Sequence, residues 1–229
     1  MRTIIVAALA LGACAPAAET RTPTADGAGA SRTLKAEVWA DNWFALYANG
    51  RKVLEDSVPI TTERSFNAET ATFTATLPMT IAFEVKDFKE NDTGLEYIGT
   101  GRQQVGDGGL IAQFTDPASG ETAAVTDAAV RCLVVHRAPV DLACANEQNP
   151  VAGQGVCGFV VTATPANWTA PGFDDSGWPA ATEHSVQAVS PKDGYDTIRW
   201  DPSARLIWSA DLKKDNTLLC RMTIGGEGA

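Results

Sequence analysis

Residues 40–50 read ADNWFALYANG, and the reading of this stretch decides the fold. Trp43 to Ala48 is an apolar, aromatic run that stops at Asn49-Gly50. An Asn-Gly pair between two such runs is the strongest short-range signal for a two-residue type I′ hairpin, because both central residues of that turn need positive φ. Just upstream, Leu34-Lys-Ala-Glu-Val-Trp39 alternates apolar and polar residues with the period of a half-buried strand. The dipeptide between the two strands, Asp41-Asn42, builds either a site or only a turn.

The two-residue period continues outward. It predicts strands over ATFTATL (71–77), TIAFEVKDF (80–88), GGLIAQFTD (108–116), AAVRCLVVH (128–136), GVCGFVVTA (155–163), ARLIWSAD (204–211) and TLLCRMTI (217–224). Turn signals at Asn91-Asp-Thr-Gly94, Asp116-Pro117 and Ser119-Gly120 separate them. Strands at this spacing, without a long amphipathic helix, predict an all-β fold, a single jelly-roll β-sandwich domain.

The start, MRTIIVAALALGAC, carries one Arg, an apolar run and small residues before Cys14. It reads as an export signal over 1–13, too short for a bilayer core of roughly 30 Å. Leu11-Gly12-Ala13-Cys14 resembles a bacterial lipobox, which predicts lipidation at Cys14; Ala15 behind it favours the outer membrane. Residues 14–31 lack large apolar side chains and read as a tether. The folded body is expected over 32–229, about 195 residues, enough for one sandwich. The formal charge is −10, and −11 once the signal with its single Arg is removed. A chain this acidic has no basic stripe for nucleic acid and is repelled by an anionic leaflet, so membrane contact is expected through the N-terminal lipid only.

With Cys14 lipidated, Cys132, Cys144, Cys157 and Cys220 remain, an even number in an exported chain, which predicts two disulfides. No CxxC pair exists and His136 and His184 are the only histidines, so thiol-metal chemistry has no ligand spacing to work with. In the last strand Leu218, Cys220, Met222 and Ile224 share one face, and Val130, Cys132, Val134 and His136 share another. Of three possible connectivities, Cys132–Cys220 would pin two strands and Cys144–Cys157 would close a polar loop.

Several stretches together resemble one family. PGFDDSGWPAA (171–181), with Trp168 ahead of it, resembles a segment of the galactose-binding-like jelly rolls attached to glycosidases. ARLIWSADLKKDNTLLCRMTI resembles the strand pair that follows that segment, and ADNWFALYANGRKV resembles the family's Asn-Gly hairpin. GGLIAQFTDPASGETAAVTDAAVRC is similar to a hairpin of related accessory domains. These segments cover about a third of the chain. The FDDS segment follows the hairpin here, whereas it usually precedes it, which implies a permuted order of the same jelly roll. The family hairpin often carries Asp-Asp where this chain has Asp41-Asn42, and the Trp frequent after the "tD" segment is replaced near Ala128 to Val130. The resemblance implies a carbohydrate-binding or purely structural role, since the fold hosts both.

Candidate sites follow. Asp41 and Asn42 offer hard oxygen ligands suited to Ca2+, which takes six to eight, and PA14-type lectins place an Asp-Asp before a similar strand for calcium-assisted sugar binding. The competing reading is an Asx turn. Asp174 and Asp175 are neighbours, unlike the carboxylates of glycosidases, which face each other roughly 5 to 9.5 Å apart across a sugar; a turn role is expected, with Phe173 and Trp178 packed beneath. Trp39, Trp43 and Trp208 lie in strand patterns and read as core or sheet surface. Trp200, in the loop with Tyr195, Asp196 and Arg199, is the candidate for stacking a pyranose and hydrogen-bonding its hydroxyls. His136 reads as structural, and Gly106-Asp-Gly-Gly109 lacks the P-loop Lys and reads as hairpin chemistry. There is no Gly-x-Ser-x-Gly elbow. The expectation is an exported, lipid-anchored carbohydrate-binding module that is not an enzyme. The alternatives are a structural or assembly lipoprotein that binds a protein partner, and a hydrolase of unusual chemistry.

Overall fold

The computed structural model describes residues 29–225. The expected signal, the lipidation of Cys14 and most of the tether therefore lie outside the described residues. The strands are β1 (Ser31–Asp41), β2 (Trp43–Ala48), β3 (Arg51–Glu55), β4 (Asn67–Thr76), β5 (Met79–Lys86), β6 (Leu95–Glu96), β7 (Gln104–Val105), β8 (Gly109–Thr115), β9 (Thr122–Val125), β10 (Arg131–Arg137), β11 (Val160–Val161), β12 (Thr182–His184), β13 (Leu206–Trp208) and β14 (Asp215–Ile224). A first six-stranded sheet has the order β12-β13-β8-β1-β4, with β9 also on β8; a second has the order β11-β10-β14-β5-β2-β3; β6 and β7 form a separate ribbon. The two large sheets pack face to face, as the two-residue period predicts for an all-β, jelly-roll-like sandwich. Among the described residues no helix is long and apolar enough to cross a membrane.

Alternation places one face of every central strand in a shared core. Leu34, Ala36, Val38 and Ala40 of β1 meet Phe44, Leu46, Ile81, Phe83 and Val85 of the opposite sheet, with Phe73, Phe114 and Trp208 filling the space between. The β2–β3 hairpin turns on Asn49 and Gly50, with φ of 47° and 80°, the two positive values that the Asn-Gly pair predicts. Asn49 also ties this turn down: its side-chain amide donates to Thr76 O and its Oδ1 accepts from Thr80 N.

Both expected disulfides form. Cys132 and Cys220 stand directly opposite each other in the β10–β14 pair, both facing the core. Cys144–Cys157 closes a loop whose inner side packs on Leu95 of the β6–β7 ribbon. By loop-closure entropy the first bridge, spanning 88 residues, contributes on the order of 4 kcal/mol and the second, spanning 13, on the order of 3.

The outer faces of both sheets are covered by irregular chain. On the second sheet, Ala82, Val135 and Leu219 lie under Trp168 and Trp178, with Tyr47 and Phe173 beside them. Arg221, on the outer face of β14, is buried there: Nε donates to Asp175 Oδ2 at 2.8 Å, and Nη1 donates to the carbonyls of Trp168 and Ala170. The guanidinium also stacks over Phe173. Asp174 Oδ1 accepts from Ser176 N, the expected turn role, whereas Asp175 is the counter-ion of a buried cation. On the first sheet, Trp39, Phe66, Ile111 and Leu206 are covered by the segment that carries Tyr195 and Trp200.

Two sequence expectations change. The run 155–163 pairs only at Val160–Val161, because Cys157 is drawn into the loop disulfide. The strands β9 (Thr-Ala-Ala-Val) and β12 (Thr-Glu-His) are too short to show a period. Asp175→Ala leaves Arg221 buried with carbonyl partners but no counter-charge. The expected loss is about 2–4 kcal/mol of unfolding free energy, read from urea denaturation, and Asp174→Ala is expected to cost less than half of that.

Candidate functional site

The segment between β12 and β13 starts with a one-turn helix, Val186–Val189, whose first turn is capped by Ser185 Oγ accepting from Ala188 N. It continues to a 3-10 turn, Tyr195–Thr197. Trp39 of β1 anchors it: the indole Nε1 donates to Asp193 O at 3.0 Å, and Tyr195 packs edge-on against the indole with centroids 5.6 Å apart. Trp200 Nε1 donates to Tyr195 O at 3.1 Å, and the two rings lie 5.7 Å apart at an interplanar angle of 35°. Gln113 of β8 pins the far side, donating to Arg199 O and accepting from Asp201 N. The structure thus brings Tyr195 and Trp200 together as a half-buried aromatic pair, with the side chains of Asp196 and Arg199 exposed on the same loop. Of the other tryptophans, Trp39 and Trp208 are core, and Trp43 lies on the sheet surface under the Lys86 ammonium. Two of the larger depressions, of about 430 and 370 Å3, are lined by Ala124, Asp127 and Met222 and by Thr100, Gln103 and Glu147. Both lie away from this pair, which offers ring surface rather than a cavity.

The second candidate is the Asp41-Asn42 corner. Here the chain leaves β1 in the first sheet and enters β2 in the second. Asn42 is fully buried, and its backbone N–H and both ends of its side-chain amide are used: the N–H donates to Lys86 O at 2.7 Å, Oδ1 accepts from Phe88 N at 2.6 Å, and Nδ2 donates to Glu63 O at 3.2 Å. Asn42 therefore binds the residues on both sides of Asp87. Asp87 is 3 % exposed and neither of its carboxyl oxygens has a partner; Asp41 is 1 % exposed and its Oδ2 has none. Gly106-Asp-Gly-Gly109 walls this corner. Gly109 stands opposite Asp41 across the β1–β8 pair, and a Cβ on Gly106 would lie 2.1 Å from Asp87 Oδ2. A Cβ on Gly108 would lie 2.1 Å from Cε2 of the Trp208 indole. These glycines answer close approach, not a hairpin.

The local electrostatics follow from burying like charges together. Burial pushes the carboxyls of Asp41 and Asp87 well above the usual carboxylate range; Asp107 pushes Asp41 further while the Lys192 ammonium opposes it, and Asp41, Glu96 and Asp107 push Asp87 while the neighbouring Asn216 amide opposes them. Burial raises Asp107 as well, with Lys192 and Lys213 opposing. Glu96 is raised to about 7, by burial first, against a hydrogen bond from Gln104 Nε2, and with Asp107 and Glu63 adding to the rise. The Lys192 ammonium lies 3.9 Å from Asp107 Oδ1. Among the described residues no group of three or more His, Cys, Asp or Glu side chains converges to hold a metal ion. For the expected pair Asp41 and Asn42 as calcium ligands, Asp41 keeps a free oxygen while the Asn42 amide is committed to the corner.

Both histidines sit in protein hydrogen bonds. His136 Nδ1 is 3.0 Å from Asn216 Oδ1 and Nε2 is 3.1 Å from Asp92 Oδ1, with the ring stacked on Phe159. His184 Nε2 donates to Ser209 O. Asp87, Glu96 and Asp107 were not sequence candidates. The available signal was parity, because Asp87 continues the buried row Ile81, Phe83, Val85.

No family model, no curated protein and no solved structure matches this chain.

A carboxyl whose folded pKa is raised holds a proton that the unfolded chain releases. Its contribution is fully present below the unfolded value near 4.5 and is lost as pH rises through about 7 for Glu96. In metal-free buffer the melting temperature is therefore expected to fall between pH 5 and 7.5. Glu96→Gln should flatten the part of this slope nearest pH 7, as measured by thermal unfolding at half-unit pH steps.

Proposed function

We propose that this chain is an exported, lipid-anchored carbohydrate-binding module without catalytic activity, a galactose-binding-like jelly roll of permuted order. The observation that carries the proposal is the Tyr195–Trp200 pair. Two aromatic rings are held in fixed relation by a hydrogen bond between their own residues and by Trp39 beneath, and their remaining surface lies beside an exposed Asp and an exposed Arg. A pyranose presents a C–H face to such rings and hydroxyls to such charges. The acidic charge and the two disulfides suit a life outside the cytoplasm. The anchor is the acyl chain on Cys14, in the outer membrane of a bacterial envelope.

A second reading, an assembly lipoprotein that docks a protein partner, has its own observation. Phe159, Val160 and Val161 are exposed at the edge of the second sheet, with Val140, Leu142 and Val151 also exposed around the Cys144–Cys157 loop. Apolar side chains at a strand edge invite an added strand.

A glycan array probed with the full chain in detergent separates the two. Carbohydrate recognition predicts saturable binding to a glycan class. That binding should weaken at least about tenfold, or about 1.4 kcal/mol, in Trp200→Ala and in the milder Arg199→Ala, with circular dichroism unchanged. No glycan bound by folded protein, together with a partner lost on Val161→Lys, would give the second reading precedence.

A further inference from the structure

Among the described residues seven large apolar side chains are exposed, and six of them, Val140, Leu142, Val151, Phe159, Val160 and Val161, lie in the stretch that closes one edge of the second sheet. The fold draws them together. Val140 N donates to Gly158 O beside Phe159. The Cys144–Cys157 bridge holds the turn that carries Leu142 against the same strand. A Cβ on Gly153, two residues after Val151, would lie 3.6 Å from the Phe159 ring, and that ring is stacked on His136. A contiguous apolar patch of this kind marks a contact surface, unlike the single apolar side chains scattered over most monomers. The edge also has free backbone. β11 pairs with β10 alone. Gly158 O and Thr162 N both bond toward the β10 side, to Val140 N and Val135 O, so alternation turns the N–H and C=O of Phe159 and Val161 away from the sheet. A depression of about 240 Å3 on this strand pair, lined by Val134, Arg137, Val160 and Thr162, can take a side chain of whatever lies alongside.

We propose that β11 is a docking edge for an extended segment of a partner protein, one that alternates apolar and basic side chains and adds to the sheet as a further strand. The inference rests on the second reading above and gives its partner a chemistry. Main-chain bonds to Phe159 and Val161 supply the attachment, and apolar side chains on one face of the added strand meet the patch. Charge selects the rest of the segment. Asp141 stands exposed between Val140 and Leu142, and Glu147 lines a second depression together with Val151. The neighbouring cations Arg137 and Lys89 are already held by Asp215 and Asp92. Lysines or arginines on the arriving segment therefore find carboxylates to meet. A second copy of this chain is disfavoured, because it brings the same acidic rim and a formal charge of −10. An anionic leaflet is repelled on the same ground.

The test uses the full chain in phosphatidylcholine nanodiscs, probed with a short synthetic peptide of alternating Val and Lys and with control peptides in which Glu replaces Lys or Ser replaces Val. By fluorescence anisotropy the Val–Lys peptide is expected to bind saturably, with a Kd on the order of 0.1 mM, and each control at least about tenfold more weakly. In hydrogen exchange the amides of Phe159 and Val161 should become protected when that peptide is added. Val161→Pro removes an outward N–H while leaving the bonds toward β10, so it should weaken binding at least about tenfold. Asp141→Asn combined with Glu147→Gln keeps the oxygen that accepts from Ala143 N, and should weaken binding several-fold with the melting temperature unchanged. Equal binding of either control peptide, no saturable binding by the wild type, or unchanged exchange at Phe159 and Val161 overturns the proposal. Amides already protected in the disc before peptide is added would assign the edge to the bilayer and overturn it as well. If Val161→Pro fails to fold, the exchange data and the charge variants decide. A protein partner lost on Val161→Lys while no Val–Lys peptide binds would leave the second reading standing and sink this one.

Discussion

The structure depends on how the chain crosses between its two sheets. Within the span of Asn42 the backbone must leave one layer and start the other, and it does so at full burial, where every peptide group needs a partner. The Asn42 side chain meets that demand by imitating backbone, accepting from Phe88 N and donating to Glu63 O, while its own N–H reaches Lys86 O. Four segments are thereby fixed at one point: the end of β1, the start of β2, the end of β5 and the loop before β4. Because Asn42 grips both neighbours of Asp87, the same bonds that close the sandwich also hold an acidic side chain in its interior. The fold at this end and the charge at this end are one feature.

Above that corner the layering is uniform. Each sheet gives its inner face to the common core and its outer face to a stretch of irregular chain held by one strong anchor. For the second sheet the anchor is Arg221, clasped by Asp175 and by carbonyls of the Trp168 segment. For the first it is Trp39, bonded to Asp193 O and edge-on to Tyr195. The two aromatic segments of the sequence, 168–178 and 195–200, differ accordingly. The first is spent on covering the sheet, and the second covers it while keeping ring surface at the solvent.

Much of the scaffold was legible because strands obey parity. The Asn49-Gly50 turn, the central strands and the pairing of Cys132 with Cys220 all follow from which residues share a face. Parity misleads where a local bond overrides it: Val156-Cys-Gly-Phe-Val-Val161 has the composition of a strand, but Cys144 claims Cys157 and only the last two residues pair. Parity also sends Arg221 outward correctly and then implies water, whereas the outward face lies beneath Trp168. At the candidate sites the same contrast holds. Tyr195, Asp196, Arg199 and Trp200 are visible together because one short loop carries them. Asp41, Asp87, Glu96 and Asp107 come from four separate stretches of the chain, and long-range pairing of β1 with β8, of β2 with β5 and of β6 with β7 sets their positions.

The position of β1 has a mechanical consequence. It lies between β4 and β8, antiparallel to both, with ten residue pairs on one side and seven on the other. Its first residues are the point where chain leading from an N-terminal anchor would enter, and its last turn carries Trp39 and the aromatic loop. Tension between that anchor and anything gripped by Tyr195 and Trp200 would run lengthwise along β1. Both ladders would then be loaded in shear, so that their hydrogen bonds resist together instead of opening one after another. If the chain is anchored in that way, the rate of forced unfolding, rather than the equilibrium stability, would govern its survival under load.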